Sequence, residues 1–243
     1  MMTLLKKKYC LLLTGTLAPE NVPNLVRSEI TLRENDYIVS LRKWFLTGIP
    51  LVFVENSSYV SEEIDALFAS QNDCEYLSFI TKKSQFGKSH GEAEIMDYAF
   101  VNSKIIQKSD VIVKVTGRLF VKNALSILSN FDKMKDITVM CWFKENMTFA
   151  DSRFFIGQKL FYDKYLLPEL ITINEEQGIY FEHATARATC RCMADGHQWR
   201  VFHRMPILEG YSGTGGFRYR NDVFRIIKRD LVIGMTNFLL KLK

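Results

Sequence analysis

Apolar and polar residues succeed one another along this chain in a rhythm that predicts strands and helices in alternation. Lys8 to Thr16 carries an unbroken apolar run, Cys10 to Leu13, which predicts a buried first strand closing on Thr14-Gly15-Thr16. A polar loop, Pro19 to Pro23, then releases the chain toward a helix. From Ile30 to Phe45 the apolar residues Leu32, Tyr37, Ile38, Leu41, Trp44 and Phe45 recur close to helical spacing, and Gly48 and Pro50 end the run. Leu51 to Val54 reads as a second strand with the polar terminus Glu55-Asn56-Ser57-Ser58. Ser61 to Ser70 reads as a helix capped by Ser61, and Glu75 to Thr81 as a third strand. A charged loop, Lys82 to Gly91, leads into a helix over Glu92 to Asn102. Asp110 to Val121 is the predicted fourth strand, and Ile137 to Phe143 the fifth.

This β-α-β-α-β order implies parallel strands joined by right-handed crossovers. The fold class expected is α/β, with a Rossmann-like, mostly parallel sheet flanked by helices. The second half is less regular. Arg153 to Leu167 is aromatic-rich and predicted helical up to Pro168, Glu175 to Arg187 is a further helix, and Trp199 to Met205 a strand. Tyr211 to Phe217 must be a loop. Asp222 to Lys243 alternates apolar and basic residues as a basic amphipathic helix does. The natural division is therefore 1–145 and 146–243, as two parts of one continuous domain.

Composition narrows the picture. The chain has 243 residues, 47% hydrophobic and 24% charged, which suits a folded protein with a substantial core. The net charge of +5 is unevenly spread, because the stretch from Arg187 holds 11 Lys and Arg against 4 Asp and Glu. A basic C-terminal quarter points to a polyanionic partner. Five cysteines at irregular spacing argue against a disulfide framework and for a reducing compartment. The short apolar run after Lys6-Lys7-Lys8 lacks the cleavage pattern of a signal peptide, and no segment approaches the ~20 apolar residues of a membrane span.

Candidate chemistry centres on the fourth strand. Lys114 interrupts the run Val111, Ile112, Val113, Val115, and a Lys there is costly unless its ammonium meets an anion. Thr116-Gly117-Arg118 follows, with Gly117 permitting a close backbone approach and Arg118 offering a donor fork suited to phosphate. The carboxyl end of such a strand is where open α/β sheets hold phosphorylated ligands. Gly87 to Glu92 opens a predicted helix, whose free N–H groups favour either an anion or Glu92 itself. Asp151-Ser152-Arg153 reads as a helix N-cap or as half of a cation site, and Glu182, set among aromatics, as a general base. His183, Cys190, Cys192, His197 and His203 match no common zinc spacing. No Gly-x-Gly-x-x-Gly follows the first strand, and Gly213-Thr214-Gly215-Gly216, a connection or a lid, lacks the Lys of a phosphate-binding loop.

Taken in order, Thr14-Gly15, Arg42, Val54-Glu55-Asn56-Ser57, Gly91-Glu92, Lys114-Val-Thr-Gly-Arg118, Asp151-Ser-Arg153-Phe-Phe and Phe181-Glu182-His183 give a chain that resembles small bacterial glycosyltransferases of the GT-A-like type, which build lipopolysaccharide or capsule. The resemblance spans roughly residues 8 to 205. It implies transfer of a sugar from a nucleotide-sugar donor to a lipid-linked or oligosaccharide acceptor, with the donor in the first part and the acceptor in the second. It sets Lys114, Thr116, Gly117 and Arg118 near the donor phosphates and Thr14, Glu55 and Asn56 near the base and ribose, with Gly15, Gly91, Glu92 and Arg153 also binding the donor. Glu182 or Asp151 would activate the acceptor hydroxyl, and His183 would touch the acceptor. Such enzymes usually bind Mg or Mn through Asp-x-Asp; here Lys114 to Arg118 stands at the expected strand end, which implies that side-chain cations neutralise the diphosphate. A basic amphipathic C-terminus fits a cytoplasmic enzyme resting on the inner, anionic face of the membrane. The rival reading is a non-catalytic nucleotide- or nucleic-acid-binding module. Its basic residues, however, are interleaved with aliphatics rather than exposed aromatics, which disfavours nucleic acid.

Overall fold

The structure, a computed structural model, describes residues 5–20, 22–23 and 25–239. Seven strands form the central sheet: β1 (Tyr9–Gly15), β2 (Leu51–Glu55), β3 (Cys74–Ser78), β4 (Val111–Thr116), β5 (Ile137–Met140), β6 (Phe154–Gln158) and β7 (Gln198–Arg200). Their order is β7-β5-β6-β4-β1-β2-β3. All are parallel except β6, which runs antiparallel to both β4 and β5. The mostly parallel, helix-flanked α/β sheet expected from the sequence is therefore present.

Helices cover both faces. On one lie α1 (Ile30–Phe45), α2 (Glu62–Ala69) and α4 (Ala124–Lys133); on the other lie α3 (Lys88–Asn102) and α5 (Phe181–Ala194). A last helix, α6 (Val223–Leu239), reaches the first face through the buried Ile233. Because strand side chains alternate between faces, Val111, Val113 and Val115 join the core under α1 and α4. The same alternation sends Ile112 to the α3 and α5 side, and Lys114 with it.

Several expectations need correction. Arg153–Leu167 is not one helix. Its first part is β6, and the chain becomes helical only from Lys159 through Thr172, passing Pro168 at the start of a helical turn. Wedged between β4 and β5, Phe154 to Ile156 is buried on both sides and so shows no period from which to read a strand. Asp151 accordingly caps no helix. The helix expected at Glu175–Arg187 begins later, at Phe181, because Gly178 takes a left-handed turn (φ 73°) after a short 3-10 turn at Glu175–Gln177. Cys190 and Cys192 thus lie on a helix, where a two-residue step separates them: Cys192 is buried and Cys190 exposed. The fourth strand stops at Thr116, and Phe120–Val121 pairs instead with Leu208–Glu209. Helix α4 had no counterpart in the sequence reading. The C-terminal helix is present as α6, the expected residues 240–243 lying outside the described part, as do 1–4, 21 and 24.

Candidate functional site

The sheet reverses direction at β1: the chain steps outward to β2 and β3, then returns to place β4 on the other side. At such a switch point the two connections leave in opposite directions and open a crevice at the carboxyl ends of the strands. A cavity of about 410 Å³ lies there, lined by Thr14 to Thr16 at the end of β1, by Thr116, Arg118 and Leu119 at the end of β4, and by the first turn of α3. The Gly-rich loop closes it from above. Tyr211 bridges to Arg218, Ser212 N–H donates to the Phe217 carbonyl (2.8 Å), and Lys88 Nζ reaches Thr214 Oγ1 across the opening (3.3 Å).

One wall is a chain of polar contacts. Lys114, with no exposed surface, gives its ammonium to Glu92 Oε1 and to the Ser152 carbonyl (2.7 Å), above the Phe181 ring. Thr14 Oγ1 donates to the same Glu92 oxygen (3.1 Å). The Ser152 hydroxyl then donates to Glu182 Oε1 (2.7 Å). Burial raises the Glu182 pKa above the ordinary glutamate value, and the charge of Glu92 pushes the same way; the Ser152 hydrogen bond and Lys114 pull back only in part. Glu92 and Glu182 both line the cavity.

Two buried cations also line the cavity. Arg33 is 3% exposed and Arg118 8%, yet both line the cavity. Arg33 donates only to carbonyls and a phenol: Thr16 O (Nε, 2.8 Å), Arg27 O (2.9 Å) and Tyr37 OH. Arg118 donates to Tyr211 O (3.1 Å), and its buried Nε has no partner among the described residues. Neither guanidinium is paired with a carboxylate among the described residues; the nearby Asp36 is held by Arg27. Burial and the Arg118 charge lower the Arg33 pKa below the ordinary arginine value. Two buried guanidiniums, neither paired with a carboxylate among the described residues, suit an anion.

The sequence-predicted residues divide accordingly. Thr14, Gly15, Asn56, Gly91, Glu92, Thr116, Arg118, Arg153 and Glu182 line the one cavity. Gly117 is pressed against the end of β1, its N–H donating to Thr14 O (2.8 Å), and an added Cβ would lie 2.8 Å from that oxygen. Lys114 sits behind Glu92 rather than facing the opening. Glu55 is wholly buried, accepting from Leu17 N (2.8 Å) and Ser57 N (2.9 Å), so it braces the loops after β1 and β2. Asp151 clasps Arg153 (Nε, 2.8 Å) and faces a second cavity. Burial would raise its carboxyl, but Arg153, helped by Lys144, holds it below the usual aspartate range. His183 accepts from the Tyr180 N–H (3.1 Å) and closes the start of its own helix. Arg42 is on the outer face of α1, paired with Glu63 (2.8 Å).

Arg33, Ser152 and Glu175 were not singled out from the sequence. Arg33 had a signal: it falls on the buried stripe of α1 with Tyr37, Leu41 and Trp44, where a cation is unexpected. Glu175 comes from a distant turn to accept from Ser89 N–H at the start of α3; an added Cβ on Gly87 would overlap its carboxylate. The donor set does not fit a divalent cation. Glu92, Glu175 and Glu182 are each engaged by a separate donor, and no cluster of three metal-ligating side chains occurs among the described residues.

No family model and no curated protein matches the sequence. Solved structures do match the fold. The inositol-1-phosphate CTP transferase from T. maritima aligns over 92% of this chain and 96% of its own, at 10% identity and a TM-score of 0.50. Core-mannan synthase A from Aspergillus fumigatus, in its Mn/GDP form, aligns over 96% and 85%, at 10% identity and a TM-score of 0.49. At such identity the likeness to the first of these speaks to architecture alone: the chain has the mostly parallel, Rossmann-like fold of that transferase.

Proposed function

We propose that this protein is a glycosyltransferase that moves a sugar from a nucleotide-sugar donor to a saccharide acceptor. The observation that carries this reading is the presence, in one cavity, of two buried guanidiniums that pair with no carboxylate among the described residues and of a carboxylate whose pKa is raised. A nucleoside diphosphate leaving group needs the first; a sugar hydroxyl acting as nucleophile needs the second. In the reaction, the acceptor hydroxyl gives its proton to Glu182 while its oxygen bonds to the anomeric carbon. The bond from that carbon to the diphosphate oxygen breaks, and its electron pair leaves on the diphosphate, met by Arg33 and Arg118. Lys114 and Ser152 act through others, holding Glu92 and Glu182 in place. Thr14, Gly15, Asn56 and Thr116 form the rim against which the nucleoside rests, under the Gly-rich loop.

The acceptor class implied by the sequence resemblance is lipid-linked or oligosaccharide, in the synthesis of bacterial surface polysaccharide. A position on the cytoplasmic face of an anionic membrane agrees with α6, whose outward side is apolar and flanked by Arg225 and Lys228. No helix among the described residues is long and apolar enough to cross a membrane.

Thermal stabilisation by UDP-, GDP-, CMP- and dTDP-sugars, measured with and without Mn²⁺, tests the reading. One nucleotide sugar should raise the melting temperature without metal, and Arg118→Gln should reduce the effect at the same ligand concentration. A protein indifferent to every nucleotide sugar is not a glycosyltransferase of this kind.

A further inference from the structure

Behind the wall formed by Arg153 and Tyr219 lies a second cavity of about 220 Å³, and those two side chains line both spaces. Its floor is apolar, made by Phe154 and Phe202, and Trp142 stands at its side. Aromatic faces of this kind accept the C–H surface of a sugar ring, and the volume suits a single ring better than a nucleotide. Its polar rim is unbalanced. Asp151 is the one acidic residue lining it and is already clasped by Arg153, leaving Lys144 only a loose approach (3.6 Å). Arg229, reaching in from α6, has no acidic partner among the described residues, and the neighbouring Asp230 accepts from Met205 N–H (3.1 Å).

We infer that this second cavity is the acceptor subsite and that it takes a saccharide carrying an anionic group, carboxylate or phosphate, held between Lys144 and Arg229. The inference rests on the glycosyltransferase reading for what the occupant does, though not for whether it binds. The arrangement has a chemical logic: the ring lies on Trp142, its charge turns toward the cations, and a hydroxyl passes the Arg153–Tyr219 pair toward Glu182. Arg153 lies over the Tyr219 ring at 5.3 Å, so the partition between donor and acceptor is two stacked side chains rather than backbone. The same geometry sets the acceptor beside α6, the element that carries the exposed apolar face.

Saturation-transfer NMR with methyl glucuronide, a hexose phosphate and neutral methyl glucoside tests this on the full chain. At least one charged sugar should bind about tenfold more tightly than the neutral one. The arm that binds identifies the anion as carboxylate or phosphate. The double variant Lys144→Gln, Arg229→Gln should lose that preference while keeping its thermal response to nucleotide sugar, since neither residue lines the first cavity. Equal binding of charged and neutral sugars overturns the inference. So does a double variant that binds like the parent, or a protein that responds to nucleotide sugar but to no glycoside. Failure of the donor reading looks different: no nucleotide sugar stabilises any version, and the glycoside titrations still decide the second cavity.

Discussion

The Ser152 hydroxyl donates to Glu182 Oε1 over 2.7 Å, while the carbonyl of the same residue accepts from Lys114 Nζ over 2.7 Å. One serine therefore ties the candidate base to the buried ammonium behind it. Its hydroxyl stabilises the charged carboxylate, so removing it leaves Glu182 easier to protonate. Ser152→Ala should shift the acid limb of the pH–rate profile to higher pH with the response to nucleotide sugar unchanged. An acid limb that stays where it was would mean that another group controls it.

Glu182→Gln keeps the shape and the hydrogen-bond acceptor but cannot take a proton. Turnover should fall by about 10²- to 10⁴-fold with little change in donor affinity; matched losses in both would reassign Glu182 to donor binding. Stability carries a second signature. The folded pKa of Glu182 is raised, so the fold favours its protonated form. That contribution is complete below the unfolded carboxyl value of about 4.3, and it is lost as pH rises through the folded value. Thermal melts of Glu182→Gln should lack this component of the parent's pH dependence.

Arg118 and Arg33 make opposite demands on the empty and filled cavity. Two buried cations repel each other without ligand, so replacing one costs little or even stabilises, whereas with a diphosphate present the same change removes a charge-assisted contact. Arg118→Gln should weaken nucleoside diphosphate binding by about 2 kcal/mol, or roughly thirtyfold, with the unliganded melting temperature close to the parent's. Isothermal calorimetry with the nucleoside diphosphate alone measures this, and unchanged affinity would move the phosphates elsewhere.

Lys114 and Glu92 form a pair whose partners are best tested together. Lys114→Met leaves the Glu92 carboxylate with the Thr14 hydroxyl but no cation and should cost about 3 kcal/mol, the low end for a buried pair because Glu92 keeps some exposure. Adding Glu92→Gln removes the stranded charge, so the double variant should recover much of the loss. Chemical denaturation of the four proteins closes the cycle. Additive losses would show that the two side chains do not act as a pair.

Much of this site was legible in the sequence, and the reason is the strand itself. Lys114 stood out because a cation in a β-branched run requires an anion, and Glu92 and the Ser152 carbonyl prove to supply its contacts. The sequence could not tell which anion it met, since a protein carboxylate and a bound phosphate satisfy an ammonium equally well. Arg33 was hidden for the opposite reason: helical spacing drew attention to the apolar stripe and away from the charges buried beside it, Arg33 and Asp36. The β6 strand was missed because burial on both faces erases the alternation that marks a strand. Glu175 was beyond any local signal, as its contact with Ser89 spans 86 residues.

Helix α6 turns an unusual face outward. Phe224 is 86% exposed, Leu231 64%, Met235 67% and Phe238 64%, and their spacing of seven, four and three residues keeps them on one side. The inward side is fixed by Ile233 and by Asn237, whose amide donates to the Phe202 carbonyl (2.9 Å). Removing the outward residues should therefore leave the fold unchanged. Arg225 and Lys228 lie on the same helix, and on the proposed membrane reading they add attraction to anionic lipid. Leu231→Ser with Met235→Ser removes two side chains worth about 1.5–3 kcal/mol each if they insert into lipid. Partitioning onto phosphatidylglycerol vesicles should accordingly fall by more than about a hundredfold, with circular dichroism unaltered. Binding to vesicles that is equal in parent and variant, or a parent that dimerises through this helix and ignores vesicles, would dismiss the membrane as its partner.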